Sequence, residues 1–175
     1  MTDHETRHDH ERARPWSRRA LEEGGFRGFV PFAELPGADV PLAPGVYAVL
    51  RTSGEPPRFS ATSPAGRFKQ KDPAVAIEVL AKRWVEGPEV LYVGKATTGS
   101  SGRRGLQKRL EEYRRHGAGE PVGHWGGRYV WQLEDRDDLL VAWNPTHEDA
   151  AVVESRMLGD FVDRYGVLPF ANLRR

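Results

Sequence analysis

The chain has 175 residues, with 26 Lys/Arg against 25 Asp/Glu, 38% hydrophobic residues and no cysteine. That length and apolar content allow one domain with a real core, and the missing cysteine excludes disulfides, thiolate nucleophiles and cysteine-ligated zinc. Any metal must sit on oxygen or imidazole. No apolar run approaches the roughly 20 residues of a bilayer span, and no basic start leads into an apolar stretch, so a cytoplasmic protein without membrane contact is expected.

Residues 1–14 are charged and nearly free of apolar side chains, which predicts a disordered tail. Its His4, His8 and His10 are metal-binding residue types, but nothing in the tail would hold them in place. Over 15–43, Trp, Phe and Val appear but Gly24-Gly25, Gly28 and Pro31 interrupt them, which predicts a short helix and an irregular arm packed on the domain. The domain itself is expected over 44–175. Residues 45–50 follow Pro44 and are rich in β-formers, so they read as the first strand. Further on, Asp72 reads as an N-cap with Pro73 at the first helical position, predicting a helix over 74–84. Residues 90–93 read as the next strand, and 95–105 as a basic loop rich in Gly, Ser and Thr. Leu106, Leu110 and Tyr113 then fall at helical spacing. Residues 128–133 and 139–143 read as strands around an acidic turn, 134–138. Thr146 reads as the cap of a last helix with Glu148 and Asp149 in its first turn, and Gly166 as its end. The order predicts an α+β fold with a small, mostly antiparallel sheet flanked by helices.

Charge is unevenly placed. Residues 95–128 hold eight Lys/Arg against three acids, and 134–163 hold nine acids against two Arg. The first segment suits phosphates and the second a cation, although two solvated faces would look the same. Glu154 is the sharpest anomaly. At about 100° per residue it lies within ~80° of Ala150, Ala151, Met157, Leu158, Phe161, Val162 and Tyr165, in the middle of the apolar arc of its helix. A carboxylate there needs a cation, either a basic side chain such as Arg109 or a metal. Arg109 in turn lies at the edge of the apolar stripe of its own helix, where it either snorkels to water or points its planar fork at a phosphate. The block His124-Trp125-Gly126-Gly127-Arg128, with Trp131, joins aromatics to a Gly pair that suggests a bulge or a close backbone approach. Its aromatics suit either base stacking or a core. Gly99-Ser100-Ser101-Gly102 is not a nucleophile elbow, no Walker spacing precedes Lys95, and neither His116 nor His124 has a partner in sequence.

Gly45-Val46-Tyr47, followed by Tyr92-Val93-Gly94-Lys95, resembles the paired strand motifs of the GIY-YIG nuclease superfamily. Residues 91–96 with 106–113 resemble the nuclease domain of bacterial excision-repair incision subunits, and the likeness runs over 44–175. It implies a DNA endonuclease that hydrolyses phosphodiester bonds with one divalent metal, Mg²⁺ or Mn²⁺, on Glu154. The same likeness puts Arg109 on the phosphate and Tyr47 or Tyr92 as acceptor of the water proton, with Lys95 easing their ionisation. Tyr113 would bond water or phosphate, and Asn172 would fix the hydrogen bonds of the site. Arg103, Arg104, Lys108, His124, Trp125 and Arg128 are expected to bind the DNA. One departure stands out: the strand motifs of this superfamily lie about a turn apart, whereas 44 residues, 48–91, intervene here. That insertion is expected to fold outside the sheet. A catalytically inactive module of the same fold, binding nucleic acid or protein, is the alternative.

Overall fold

The computed structural model describes residues 14–174. His4, His8, His10 and the rest of the expected tail lie outside them, except Arg14, whose guanidinium meets Glu89 at 3.3 Å. Four strands, β1 (Arg27–Pro31), β2 (Gly45–Leu50), β3 (Val90–Ala96) and β4 (Leu140–Pro145), form one sheet in the order β1-β4-β2-β3. All its pairings are antiparallel. With the helices α1 (Arg18–Glu23), α2 (Ile77–Arg83), α3 (Leu106–Gly117) and α4 (Ala150–Tyr165) this is the expected α+β architecture. Among the described residues, no helix is long and apolar enough to cross a membrane.

β2 is an inner strand covered on both faces, so all six of its residues are buried. Alternation along it divides the core. Tyr47 and Val49 pack with Leu106, Leu110 and Tyr113 of α3, while Val46, Ala48 and Leu50 pack with Leu21 of α1 and Leu158 of α4. In β3 Tyr92 shares the α3 face and Val93 the α4 face, and the alternation breaks at Leu91, where the register with β2 shifts. β3 is also an edge strand, and its free backbone is covered by the chain end. Ala171 N–H donates to Leu91 O at 2.8 Å, and the Asn172 side chain bonds both Val93 N–H and Val93 O. Covering an edge in this way removes a template for unwanted pairing.

Four local readings are corrected. The arm supplies a strand, β1, which pairs with β4 through a register shift between Gly28 and Val30. Phe29 there has φ 56°, so the glycine punctuation marks a bulged edge strand and not an irregular segment. Residues Arg128–Gln132 form a 3-10 turn, not a strand. Both sides of β4 are already taken by β1 and β2, and Tyr129, Val130, Trp131 and Gln132 are all buried, so no alternating face exists. The helix expected from Asp72 starts later, at Ile77, because Asp72 Oδ1 accepts from Ala74 N–H in a local turn of its own. Likewise α4 is capped by Asp149, whose carboxylate accepts from Ala151 N–H; Thr146 instead donates to Glu148 O, and Glu148 precedes the helix. Gly166 ends α4 in the left-handed region, φ 74°, as expected.

The ends of the 48–91 range complete β2 and begin β3, and between Arg51 and Glu89 the insertion places no strand in the sheet. It is nonetheless built into the core. Ala65 and Leu80 are buried, and Phe59, Val75 and Trp84 pack against the Tyr47 face. The fully buried Gln132 amide ties it down by donating to Ser60 O and Val75 O and accepting from Val75 N–H.

Candidate functional site

A pocket opens over the β3 edge. Tyr47, Tyr92, Lys95, Arg109, Glu154 and Asn172 line it, with Trp125, Gly126 and Arg128 among the residues of its wall. These groups come from 47 to 172 in sequence and from both faces of the sheet. Tyr47 and Tyr92 reach it from the α3 side, and Glu154 from α4 on the other side. Tyr47 pairs with Gly94 across the strands, and a Cβ at Gly94 would sit 2.4 Å from the Tyr47 ring. The bare backbone of Gly94 therefore lets the Tyr47 ring lie across β3 toward the edge.

The carboxylate of Glu154 is only 13% exposed, and Lys95 Nζ donates to its Oε2 at 2.5 Å. The compensating cation is thus Lys95, and Arg109 is engaged elsewhere. Arg109 donates to Gly123 O at 3.0 Å and to Glu112 at 3.2 Å, and Glu112 also takes two bonds from Arg104. Glu112 carries no motif signal of its own, and only its i,i+3 spacing from Arg109 makes the contact readable in the sequence.

Three tyrosines form one cluster with His124. Ring centroids are 6.0 Å apart for Tyr47–Tyr92 and 5.7 Å for Tyr92–Tyr113, and the His124 ring stacks on Tyr113 at 3.7 Å with the planes 3° apart. His124 Nε2 lies 2.7 Å from the Tyr47 hydroxyl. Burial pushes the Tyr47 and Tyr113 hydroxyls well above their ordinary range and Tyr92 above it, while the Arg109 charge pulls all three back. Arg109, not Lys95, is therefore the cation that eases their ionisation. Burial, with Arg109 second, holds the His124 imidazole well below its usual range, so it is neutral at pH 7.

No family model, no curated protein and no solved structure matches the chain.

The pocket brings together six of the seven expected catalytic residues. Tyr113 is the exception: it is fully buried and its hydroxyl donates to Gly127 O at 2.7 Å, so it cannot bond a water or phosphate in the pocket. A Cβ at Gly127 would lie 2.2 Å from that hydroxyl, which is the close backbone approach that the Gly pair announced. The expected DNA-binding residues divide. Trp125 and Arg128 stand at the pocket, with the Arg128 guanidinium 4.4 Å over the Trp125 ring. His124 lies beneath it, 0% exposed, and cannot touch a ligand. Arg104 is held by Glu112, Lys108 faces a separate groove beside Leu35 and Leu110, and Arg103 is exposed on the loop before α3. Much of the basic surplus is internally paired as well, since Arg114 meets Glu111 and Arg115 meets Glu120. A larger groove at the far end of β2 runs between Arg51, Arg58, Glu134 and Asp138, but its charges are mixed and it gathers no comparable set.

Proposed function

We propose that the protein is a divalent-metal-dependent endonuclease of GIY-YIG type that hydrolyses DNA phosphodiester bonds at the β3-edge pocket. The observation that carries this reading is the convergence there of two tyrosines, Lys95, Arg109 and the partly buried Glu154. A phosphodiester needs a cation on its oxygens, an acceptor for the water proton and relief for the leaving oxygen. Arg109 supplies a fixed planar cation, held by Glu112 and Gly123 O. A tyrosine hydroxyl supplies the proton acceptor. Trp125 and Arg128 offer a flat surface and a charge for the flanking nucleotide.

The donor set fits a mostly hydrated ion. One carboxylate faces the pocket, and among the described residues no group of three or more His, Asp or Glu forms a protein cage. Glu154 would hold Mg²⁺ or Mn²⁺, which when bound supplies positive charge to the phosphoryl and leaving oxygens. Lys95, released from Glu154, would then turn its ammonium to the substrate phosphate.

A second reading is a module that binds nucleic acid or protein without cutting, and one contact favours it: the Lys95 ammonium pairs with the Glu154 carboxylate. Digestion of supercoiled, linear, branched and damaged DNA with Mg²⁺ and Mn²⁺, using wild type and Glu154→Gln, separates the two. Metal-dependent cutting lost in Glu154→Gln supports the enzyme. Cutting that survives the substitution or excess EDTA removes the one-metal reading, and binding without cutting leaves the idle module.

A further inference from the structure

The segment from Gly123 to Arg128 fixes two cations along one wall of the pocket. Gly123 O accepts from Arg109 Nη1 at 3.0 Å, and Trp125 O accepts from Arg128 Nη1 at 3.1 Å. Two residues span at most about 7 Å, so the anchoring carbonyls stand apart on the scale of one nucleotide step. The segment itself is held from below. His124 is buried with its Nε2 2.7 Å from the Tyr47 hydroxyl, and Tyr113 donates to Gly127 O. Cations set on so firm a wall lose little freedom when an anion arrives.

The cations of the pocket differ in what offsets them. Arg109 has Glu112, and Lys95 has Glu154. Arg128 is half-buried, yet among the described residues it joins no ion pair. Its guanidinium lies 4.4 Å over the Trp125 ring and 5.1 Å over the Tyr129 ring, and its Nε is buried without an acceptor. Ring faces attract a cation only modestly against the cost of taking its charge out of water. An anion in the pocket would supply the missing counter-charge. Arg128 Nη1 is spent on Trp125 O, so Nη2 is left to meet that anion. On Arg109 both contacts fall on Nη1 as well, which leaves the Nε–Nη2 edge of its fork for a ligand.

We propose that Arg128 is a second phosphate subsite, so that Arg109 and Arg128 hold two successive phosphates of one DNA strand. The proposal rests on the nuclease reading for which of the two is cut: the phosphate on Arg109 is the scissile one, and Arg128 takes its neighbour. The subsite touches only the backbone, so it sets the register of the strand without reading its bases. It also makes the charge of the flanking linkage part of what the pocket selects. An isolated phosphodiester, or one beside a neutral linkage, leaves Arg128 without its counter-charge.

The test uses two measurements on the full chain. The first is binding of a fluorescein-labelled DNA duplex in EDTA over a range of KCl. Arg128→Gln keeps a donor for Trp125 O but no charge. It should flatten the slope of log K against log[salt] by about 0.9 and weaken binding on the order of tenfold, whereas Arg128→Lys should keep the slope. An unchanged slope in Arg128→Gln, or an equal loss in Arg128→Lys, overturns the subsite. The second maps a cut made by wild type with Mg²⁺, then replaces the linkages on either side, one at a time, by uncharged methylphosphonate. At one of the two adjacent linkages the replacement should raise KM about tenfold for wild type and have no further effect in Arg128→Gln. Equal sensitivity of both proteins to that linkage overturns the proposal and leaves the nuclease reading intact. Binding without cutting removes the nuclease reading alone, and the salt slope then decides the subsite. If Arg128→Gln does not fold, wild type still decides: indifference to both adjacent methylphosphonates overturns the proposal.

Discussion

Asn172 makes a two-pronged bond to Val93, its amide donating to Val93 O at 2.8 Å and its oxygen accepting from Val93 N–H at 2.9 Å. A side chain thus takes the place of a neighbouring strand at the β3 edge. Asn172→Ala leaves both Val93 groups buried and unpaired, and should cost about 1–3 kcal/mol. Urea denaturation measures this. An unchanged midpoint would show that Val93 finds other partners and that the chain end is not what fixes β3.

Lys95→Met should reveal the metal site without any cleavage assay. Because Lys95 is 43% exposed, solvent screening limits the loss in EDTA to about 1 kcal/mol or less. Mn²⁺ should then raise the melting temperature of Lys95→Met more than that of wild type, since Glu154 no longer has a competing cation. Equal shifts would argue that Glu154 does not take the ion.

Arg109→Ala and Tyr92→Phe should each slow cutting by on the order of 10²-fold or more, with smaller effects on DNA binding. Arg109 also holds Gly123 O, so Arg109→Lys is the control that keeps the charge. Wild-type rates under single-turnover conditions for either main variant would remove its proposed role.

Replacing residues 53–88 with a short Gly-containing turn should abolish cooperative unfolding. The replaced segment holds the buried Leu80 and the half-buried Phe59 and Trp84, and Leu80→Ala alone should cost about 2–5 kcal/mol. A soluble, folded replacement with unchanged substrate preference would mean that the segment neither supports the core nor chooses the substrate.

Stability should fall as the solution is acidified from pH 7. His116 and His124 are both held below their ordinary pKa by burial, so each stays neutral in the fold where the unfolded chain takes up a proton. Their contribution is complete above about pH 6.5 and is lost progressively below it, down toward the depressed folded values. His124→Phe should flatten that limb of a stability-against-pH curve. An identical slope in the variant would show that His124 does not report the burial.

The elements that carry the pocket were legible because each has a strong local signal. Residues 45–50 and 90–93 are β-forming runs, Leu106, Leu110 and Tyr113 keep helical spacing, and Glu154 violates the pattern around it. The misreadings come from contacts made far along the chain. Whether 128–132 is a strand depends on whether β4 has a free side, and β1 fills that side from more than 100 residues away. Nothing local says that His124 lies under Tyr47, 77 positions distant, so a polar, glycine-flanked imidazole reads as surface. Helix patterning points to Arg109 on α3 as the cation beside Glu154, while the one that meets it lies on β3, where Lys95 directly follows Gly94.

Gly94 and Gly127 bear a consequence for how this pocket tolerates change. Each is the floor beneath one aromatic ring, with Tyr47 resting on the first and the Tyr113 hydroxyl on the second. Even alanine, the smallest step available, would drive a methyl group into the ring above, at Gly94 from the backbone of β3 and at Gly127 from the turn before the 3-10 segment. Substitution at these two positions therefore acts like a latch released from below. It would dislodge the tyrosines while every residue facing the solvent stayed the same, and a screen confined to pocket-lining side chains would pass over Gly127 entirely.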